Sequence, residues 1–316
     1  MLANFVDSAS QLLFGAAPQA SAPAQGQAMQ PEATLASGTP SPEAANALFG
    51  GMFDPIGPSV AKKVAEARKN LDAQLESGKE LSGLLEVDGA GPNGVTPEQF
   101  QQLCELHAAI KQGKTDIKFD TGNLEPEKAK ELKKKAMTDM AKMMQTESGR
   151  EMLASLAHNE NEKGEHKTTT LQFVGDPEQS NCTRKVSPDN DMEWENYRND
   201  HNGKGNNAIV QYAPGQSFLQ TGPDYEVQQN SDIVLFHEMA HAYHRTHGTL
   251  AGDEHVANPV HHLDQKIDKD EYQATGLGDY AGEFLTENQY RDERMQLGEE
   301  VGYRYRYSPT GKQLEN

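Results

Sequence analysis

Apolar positions fall into a few regular stretches separated by polar ones. Over residues 58–87, Val60, Val64, Leu71, Leu75, Leu81 and Leu85 recur among Lys and Glu at helical spacing. A Gly-rich turn, VDGAGPNGV, follows, and Thr96-Pro97-Glu98 opens a helix predicted to run through Leu103 and Ile110. The turn superficially resembles a calcium loop, but Ala90 and Pro92 sit where oxygen ligands would be needed, so an EF-hand is not expected. Residues 126–158 read as strongly helical, with Pro126 in the first turn and Met137, Met140, Met143 and Met144 as apolar contacts. That methionine stripe is read as core, the KKK run at 133–135 as a solvated face, and Ser148-Gly149 as a break into two helices. Two strands are predicted, TTTLQFVG at 168–175 and NAIVQYAP at 207–214, with a polar stretch holding Trp194 between them. The apolar run Ile233–Phe236, with Met239 and Ala240, marks a buried helix in SDIVLFHEMAHAYHRTHG, residues 231–248. Ser231 and Asp232 offer its N-cap and Gly248 its stop. A polar loop with His255, His261 and His262 leads to a second helix, GEFLTENQYRDERMQLG at 282–298, and to the aromatic and basic end GYRYRYSP.

Composition alters this picture at the N-terminus. Only 35% of the 316 residues are hydrophobic, and mean hydropathy is −0.79, so part of the chain is expected to be disordered. Residues 1 to about 50 are dominated by Ala, Ser, Pro, Gln and Gly. The start carries no Lys or Arg, and Asp7, Ser8, Ser10 and Gln11 interrupt its apolar residues, which does not fit a Sec signal peptide. Two readings remain, a flexible tail or an uncleaved export address. The net charge of −19, from 29 basic and 48 acidic residues, argues against nucleic acid or an anionic membrane as partner. No apolar run approaches the ~18 residues of a membrane span. Cys104 and Cys182 make no disulfide framework.

Candidate chemistry lies in HEMAH. His237 and His241 share one helix face, so both imidazoles can reach one ion, and Glu238 follows the first directly. Two neutral imidazoles suit zinc, and a carboxylate beside the open position can take a proton from bound water, making Glu238 the catalytic base. This is the H-E-x-x-H arrangement of zinc peptidases. A catalytic zinc normally takes a third protein ligand. His244 lies about 10.5 Å along the axis from His237, too far on a rigid helix. His247 has the spacing of a third histidine, but the turn it requires would fall at His244 rather than at a glycine. Glu283 and Glu287, one turn apart on the later helix, are the carboxylate alternatives. Tyr290, Tyr303 and Tyr305 are candidates for stabilising an oxyanion.

HEMAHAYH, NNAIVQYAP and TENQYRDE with its Tyr/Arg-rich end resemble the NleD-like family of bacterial effector metallopeptidases, as does TESGREMLASLAHNENEKGEHKTTTLQF. The resemblance covers roughly residues 125–310. It implies an α+β, zincin-like (gluzincin-like) metallopeptidase domain with a small sheet and the HExxH helix; composition and periodicity place a disordered tail and a small helical region before it. The expected division is 1–57 secretion or translocation region, 58–120 helical spacer or module, and 121–316 metallopeptidase domain. The resemblance also implies one zinc held by His237, His241 and Glu287, with Arg291 and the terminal tyrosines as supports. It implies type III-like secretion into the host-cell cytoplasm and a host protein substrate such as a signalling kinase; a secretion chaperone is expected as a partner of the N-terminal region. A monomer is expected. The rival expectations are a toxin module acting on competing bacteria and a non-enzymatic zinc-containing effector that binds a host protein.

Overall fold

The computed structural model describes residues 58–304 except 90, 92–93, 162, 185–196, 223–224, 253–254 and 258–265. The expected tail at 1–57, Trp194, His261, His262 and Tyr305 lie outside the described residues. The chain divides into two compact units, Met1–Asp72 and Ala73–Asn316. The described part of the first is the start of helix α1, Pro58–Leu81.

In the second unit, α2 (Pro97–Lys111) opens on a reciprocal cap, in which the Thr96 and Gln99 side chains each accept the other's backbone N–H. Strand β1 (Ile117–Asp120) leads to α3 (Pro126–Met143) and α4 (Glu147–Ala157). The break between these helices falls at Thr146, before the expected Ser148-Gly149, which lies inside α4. The Thr146 hydroxyl oxygen accepts the Gly149 N–H at 3.1 Å. Gly149 serves packing here, since a Cβ on it would lie 2.0 Å from the Met143 carbonyl oxygen.

Both predicted strands form, as β2 (Thr169–Phe173) and β4 (Ala208–Tyr212), with β3 (Asn181–Arg184) between them in sequence. The sheet order is β1-β2-β4-β3, in which only β3 runs antiparallel. Ala208, Val210 and Tyr212 alternate inward on β4, as period-2 patterning requires. The hairpin β5 (Phe218–Gly222) and β6 (Tyr225–Gln229) feeds α5, Ser231–His247. After it come the pair β7 (His255–Ala257) and β8 (Lys266–Asp268), then α6 (Lys269–Thr275) and α7 (Glu287–Gln296). The architecture is thus mixed, a small sheet with helices, as expected. The last helix starts later than residue 282. Leu285 takes a left-handed φ of 65° and Thr286 caps α7, its hydroxyl oxygen accepting the Gln289 N–H at 3.3 Å.

Helix α5 is buried along its length except at half-buried Tyr243 and His247, and Ile233, Leu235, Phe236, Met239 and Ala240 join the core with Leu171 and Val210 of the sheet. All four stripe methionines are core residues. The lysine run is less uniformly solvated than expected, because Lys133 sits over the Phe119 ring at 4.8 Å. The N-cap of α5 is Asn230, not Ser231 or Asp232. The end is buried, so tertiary partners take over. Ser231 donates its hydroxyl to Asp139 Oδ1 at 2.7 Å, and Tyr290 donates to Asp232 Oδ2 at 2.7 Å. Burial pushes the Asp139 carboxyl up to about 6, although hydrogen bonds from Ser231 and Gly215 pull the other way.

The unit boundary at Ala73 differs from the domain boundary expected at 121. Leu81, Leu85, Leu103, Ile110 and Ile117 belong to the same core cluster as α3, α4 and α5. A chain beginning at residue 120 would lose those side chains and edge strand β1. It is expected not to melt cooperatively, whereas a chain beginning at 58 should melt like the full chain. Circular dichroism melts of the two decide, and a cooperative melt of the shorter one would count against the shared core.

Candidate metal centre

The chemistry is assembled from three helices. His237 and His241 sit one turn apart on α5, with side chains 7% and 6% exposed. Their Nε2 atoms are 3.2 Å apart. The third member is Glu271 of α6, whose Oε2 lies 3.1 Å from His237 Nε2 and 3.4 Å from His241 Nε2. One donor atom from each of the three falls within 4.8 Å of the others, and among the described residues no other such group occurs. Glu271 is the residue that sequence reasoning missed. Its segment is a seven-residue helix, too short to show periodicity, and it offers Asp270 beside it as an equal candidate.

Glu287, expected as a ligand, occupies a different place. Its Oε2 lies 2.8 Å from Nδ1 of His237, the ring nitrogen that faces away from Nε2. An imidazole presents its two nitrogens in diverging directions, so a carboxylate at Nδ1 cannot share an ion with His241 Nε2. Glu287 is fully buried and also accepts from Arg291 Nε at 2.7 Å and from Arg304 Nη1 at 2.8 Å. Arg291 itself is fully buried. It donates further to the carbonyls of Gln228 at 3.1 Å and Val301 at 2.9 Å, and to Gln229 Oε1 at 2.9 Å. Arg291 thus meets His237 through Glu287. Arg304, flanked by the two tyrosines singled out from sequence, is the group at Glu287 that was overlooked.

The other candidates lie elsewhere. Tyr290 is a core residue, stacked on Phe236 with ring centroids 4.5 Å apart and bonded to Asp232. The Tyr303 hydroxyl donates to Asp292. Glu283 is exposed. Helix α5 continues without a turn at His244 and ends at Gly248, which takes a φ of 70°. His247 therefore stays on the helix, its Nδ1 2.8 Å from the Tyr243 carbonyl oxygen. His244 Nδ1 lies 3.0 Å from the Thr249 hydroxyl, and burial lowers the imidazole to about 3, so it is neutral.

Electrostatics separate the carboxylates into two kinds. Burial would raise Glu271, yet the His241 and His237 imidazoles hold it well below the usual carboxylate range. Burial would likewise raise Glu287, but Arg304, Arg291 and His237 hold it down. Burial lowers His237, and the two carboxylates override that and raise it, so a cation binding at Nε2 would displace a proton. Glu238 differs: burial pushes it up to about 7, against the lowering influence of His237 and His241. Among the described residues, none hydrogen-bonds to its carboxylate. Two imidazoles and a carboxylate that stays ionised are a donor set that suits a divalent cation such as zinc, and the Glu238 carboxyl next to them, raised by burial, is suited to moving a proton.

This arrangement has the make-up of a metallohydrolase centre. Residues 120–306 match the M91 peptidase family, described as effector proteins, and the chain belongs to that family. No curated protein matches the chain. Among solved structures, it is similar to the Clostridium botulinum neurotoxin serotype F light chain, at 17% identity and a TM-score of 0.39, over 55% of this chain and 50% of that one. It is also similar to the botulinum neurotoxin type D light chain, at 12% identity and a TM-score of 0.37, over 58% of this chain and 59% of that one. No described helix is long and apolar enough to cross a membrane.

Proposed function

We propose that this effector peptidase is a zinc-dependent endopeptidase that is secreted, acts inside a host cell, and hydrolyses a peptide bond of a host protein there. A signalling kinase is the substrate class that the family resemblance implies. The observation that carries the reading is the convergence of His237, His241 and Glu271, with Glu238 adjoining them. His237 Nε2, His241 Nε2 and Glu271 would hold the zinc. When bound, zinc supplies Lewis acidity, which makes water a nucleophile near neutral pH and polarises a carbonyl. Glu238 takes the proton from the attacking water and delivers it to the departing amine, a task that suits a carboxyl raised to about 7. Glu287 holds Nδ1 of His237, so that Nε2 points at the open side. Arg291 and Arg304 keep Glu287 ionised and in place. The positive charge of Arg304 also favours the ionised form of Glu238.

The test is N-terminal proteomics of host-cell lysate incubated with the purified chain. New protein N-termini should appear, vanish when the chain is stripped with a zinc chelator, and return on adding zinc. A chelator-resistant set of cleavages, or none at all with zinc bound, would overturn the reading.

A further inference from the structure

Helix α6 is too short to hold its own shape and must be fixed from outside. Residues 248–268 separate it from α5, so chain connectivity alone places Glu271 only loosely against the histidines. The fixing is done two residues beyond Glu271. Gln273 is 6% exposed, and both polar atoms of its side-chain amide are hydrogen-bonded. Its Nε2 donates to the Thr249 carbonyl oxygen at 3.0 Å, and its Oε1 accepts the Ala251 N–H at 2.8 Å. A primary amide thus bonds the backbone on both sides of Leu250 as a neighbouring strand would.

Segment 249–251 is itself attached to α5. Thr249 N–H donates to the His244 carbonyl oxygen at 2.9 Å, and Leu250 N–H donates to the Asp200 carbonyl oxygen at 2.9 Å. The Asp200 carboxylate pairs with Arg245 of α5 at 2.8 Å. Residues two apart on a helix point about 200° from each other. Gln273 therefore grips α6 on one side while Glu271 reaches the histidines from another. At the end of α6, Gly276, at φ +79°, abuts Thr286, where a Cβ would lie 2.6 Å from the hydroxyl oxygen. This second contact limits sliding of α6 relative to α7.

We infer that Gln273 is a positioning residue for the metal centre: by bonding Thr249 and Ala251 it ties α6 to the end of α5 and so sets Glu271 against His237 and His241. The inference rests on the proposed role of Glu271 as a ligand. With Gln273 truncated, α6 loses its tie while both histidines stay on the rigid α5, so the predicted fault is in the carboxylate ligand alone.

A double-mutant cycle on the purified full chain tests this, with zinc affinity read by competition against a chromophoric chelator and cobalt absorption as the spectroscopic record. Gln273→Ala is expected to weaken zinc binding on the order of tenfold, the scale of an outer-sphere loss, and to change the cobalt spectrum. On the Glu271→Ala background it should weaken binding no further, because the residue through which it acts has gone. A purely structural role would lower affinity equally on both backgrounds, and that result, or unchanged affinity in the single variant, would overturn the inference. Should Gln273→Ala not fold, Gln273→Met keeps the volume without the hydrogen bonds, and the same cycle applies. If the wild type binds no zinc, or Glu271→Ala binds it as tightly as the wild type, the ligand assignment fails first, and that failure is visible before Gln273 is considered.

Discussion

Glu238→Gln is expected to bind zinc as the wild type does and to lose about 10²–10⁴-fold in peptidase activity, the usual contribution of a positioned acid–base group. The two properties separate because Glu238 lies outside the donor group of His237, His241 and Glu271. Glutamine keeps the shape and burial of the side chain but cannot accept the proton. Burial raises the wild-type carboxyl, which strengthens it as a proton acceptor. Metal analysis of the purified variant, alongside single-turnover cleavage of a peptide found in the lysate experiment, gives both readings. Zinc loss in Glu238→Gln would make Glu238 a ligand, and near-normal cleavage would remove it from the chemistry.

Two carboxylate substitutions should part in a similar way. Glu271→Ala removes one of three protein donors and is expected to weaken zinc binding by roughly 10²–10³-fold, about a one-ligand share of the ~10–16 kcal/mol typical of a structural zinc site. The side chain of Glu271 is 26% exposed, so its removal should cost little in folding. Glu287→Gln is expected to behave differently. Its carboxylate serves His237 Nδ1, Arg291 and Arg304 at once and is completely buried. Removing its charge leaves the guanidinium of fully buried Arg291 without a counterion, at a cost of about 3–5 kcal/mol of stability. Zinc affinity should fall less than in Glu271→Ala, by about 10–100-fold, through loss of the group that orients His237. His247→Ala should leave zinc content near wild type, because His247 is held on the helix by the Tyr243 carbonyl. Chelator titrations and chemical denaturation of the three variants check this. Full zinc affinity in Glu271→Ala, with the larger loss in Glu287→Gln, would return Glu287 to the ligand set.

The central helix could be read from the chain because each of its signals is local. An apolar run, an i,i+4 histidine pair and a terminal glycine are neighbours in sequence, and Gly248 takes the left-handed conformation that its place after the run predicts. The strands at 169–173 and 208–212 were legible for the same reason, since a short run rich in β-branched and aromatic residues is a property of the segment itself. The helix break at Thr146 was misplaced because glycine carries two meanings. At Gly149 it permits close approach to Met143 within a helix and does not end one. The late start of α7 was hidden by Leu285, whose left-handed backbone nothing in its side chain announces.

The pair His237 and His241, the base candidate Glu238, the helix that carries them and the family to which the chain belongs are all legible in the linear chain. Which carboxylate meets Nε2 of His237 and which meets Nδ1 emerges only from the packing of the helices. Glu271 and Glu287 are both acidic residues on later helices. Their different places follow from where Gln273, Gly276 and the arginines Arg291 and Arg304 hold those helices. Contacts between residues far apart in the chain leave no periodic trace in it, whereas the face of one helix does.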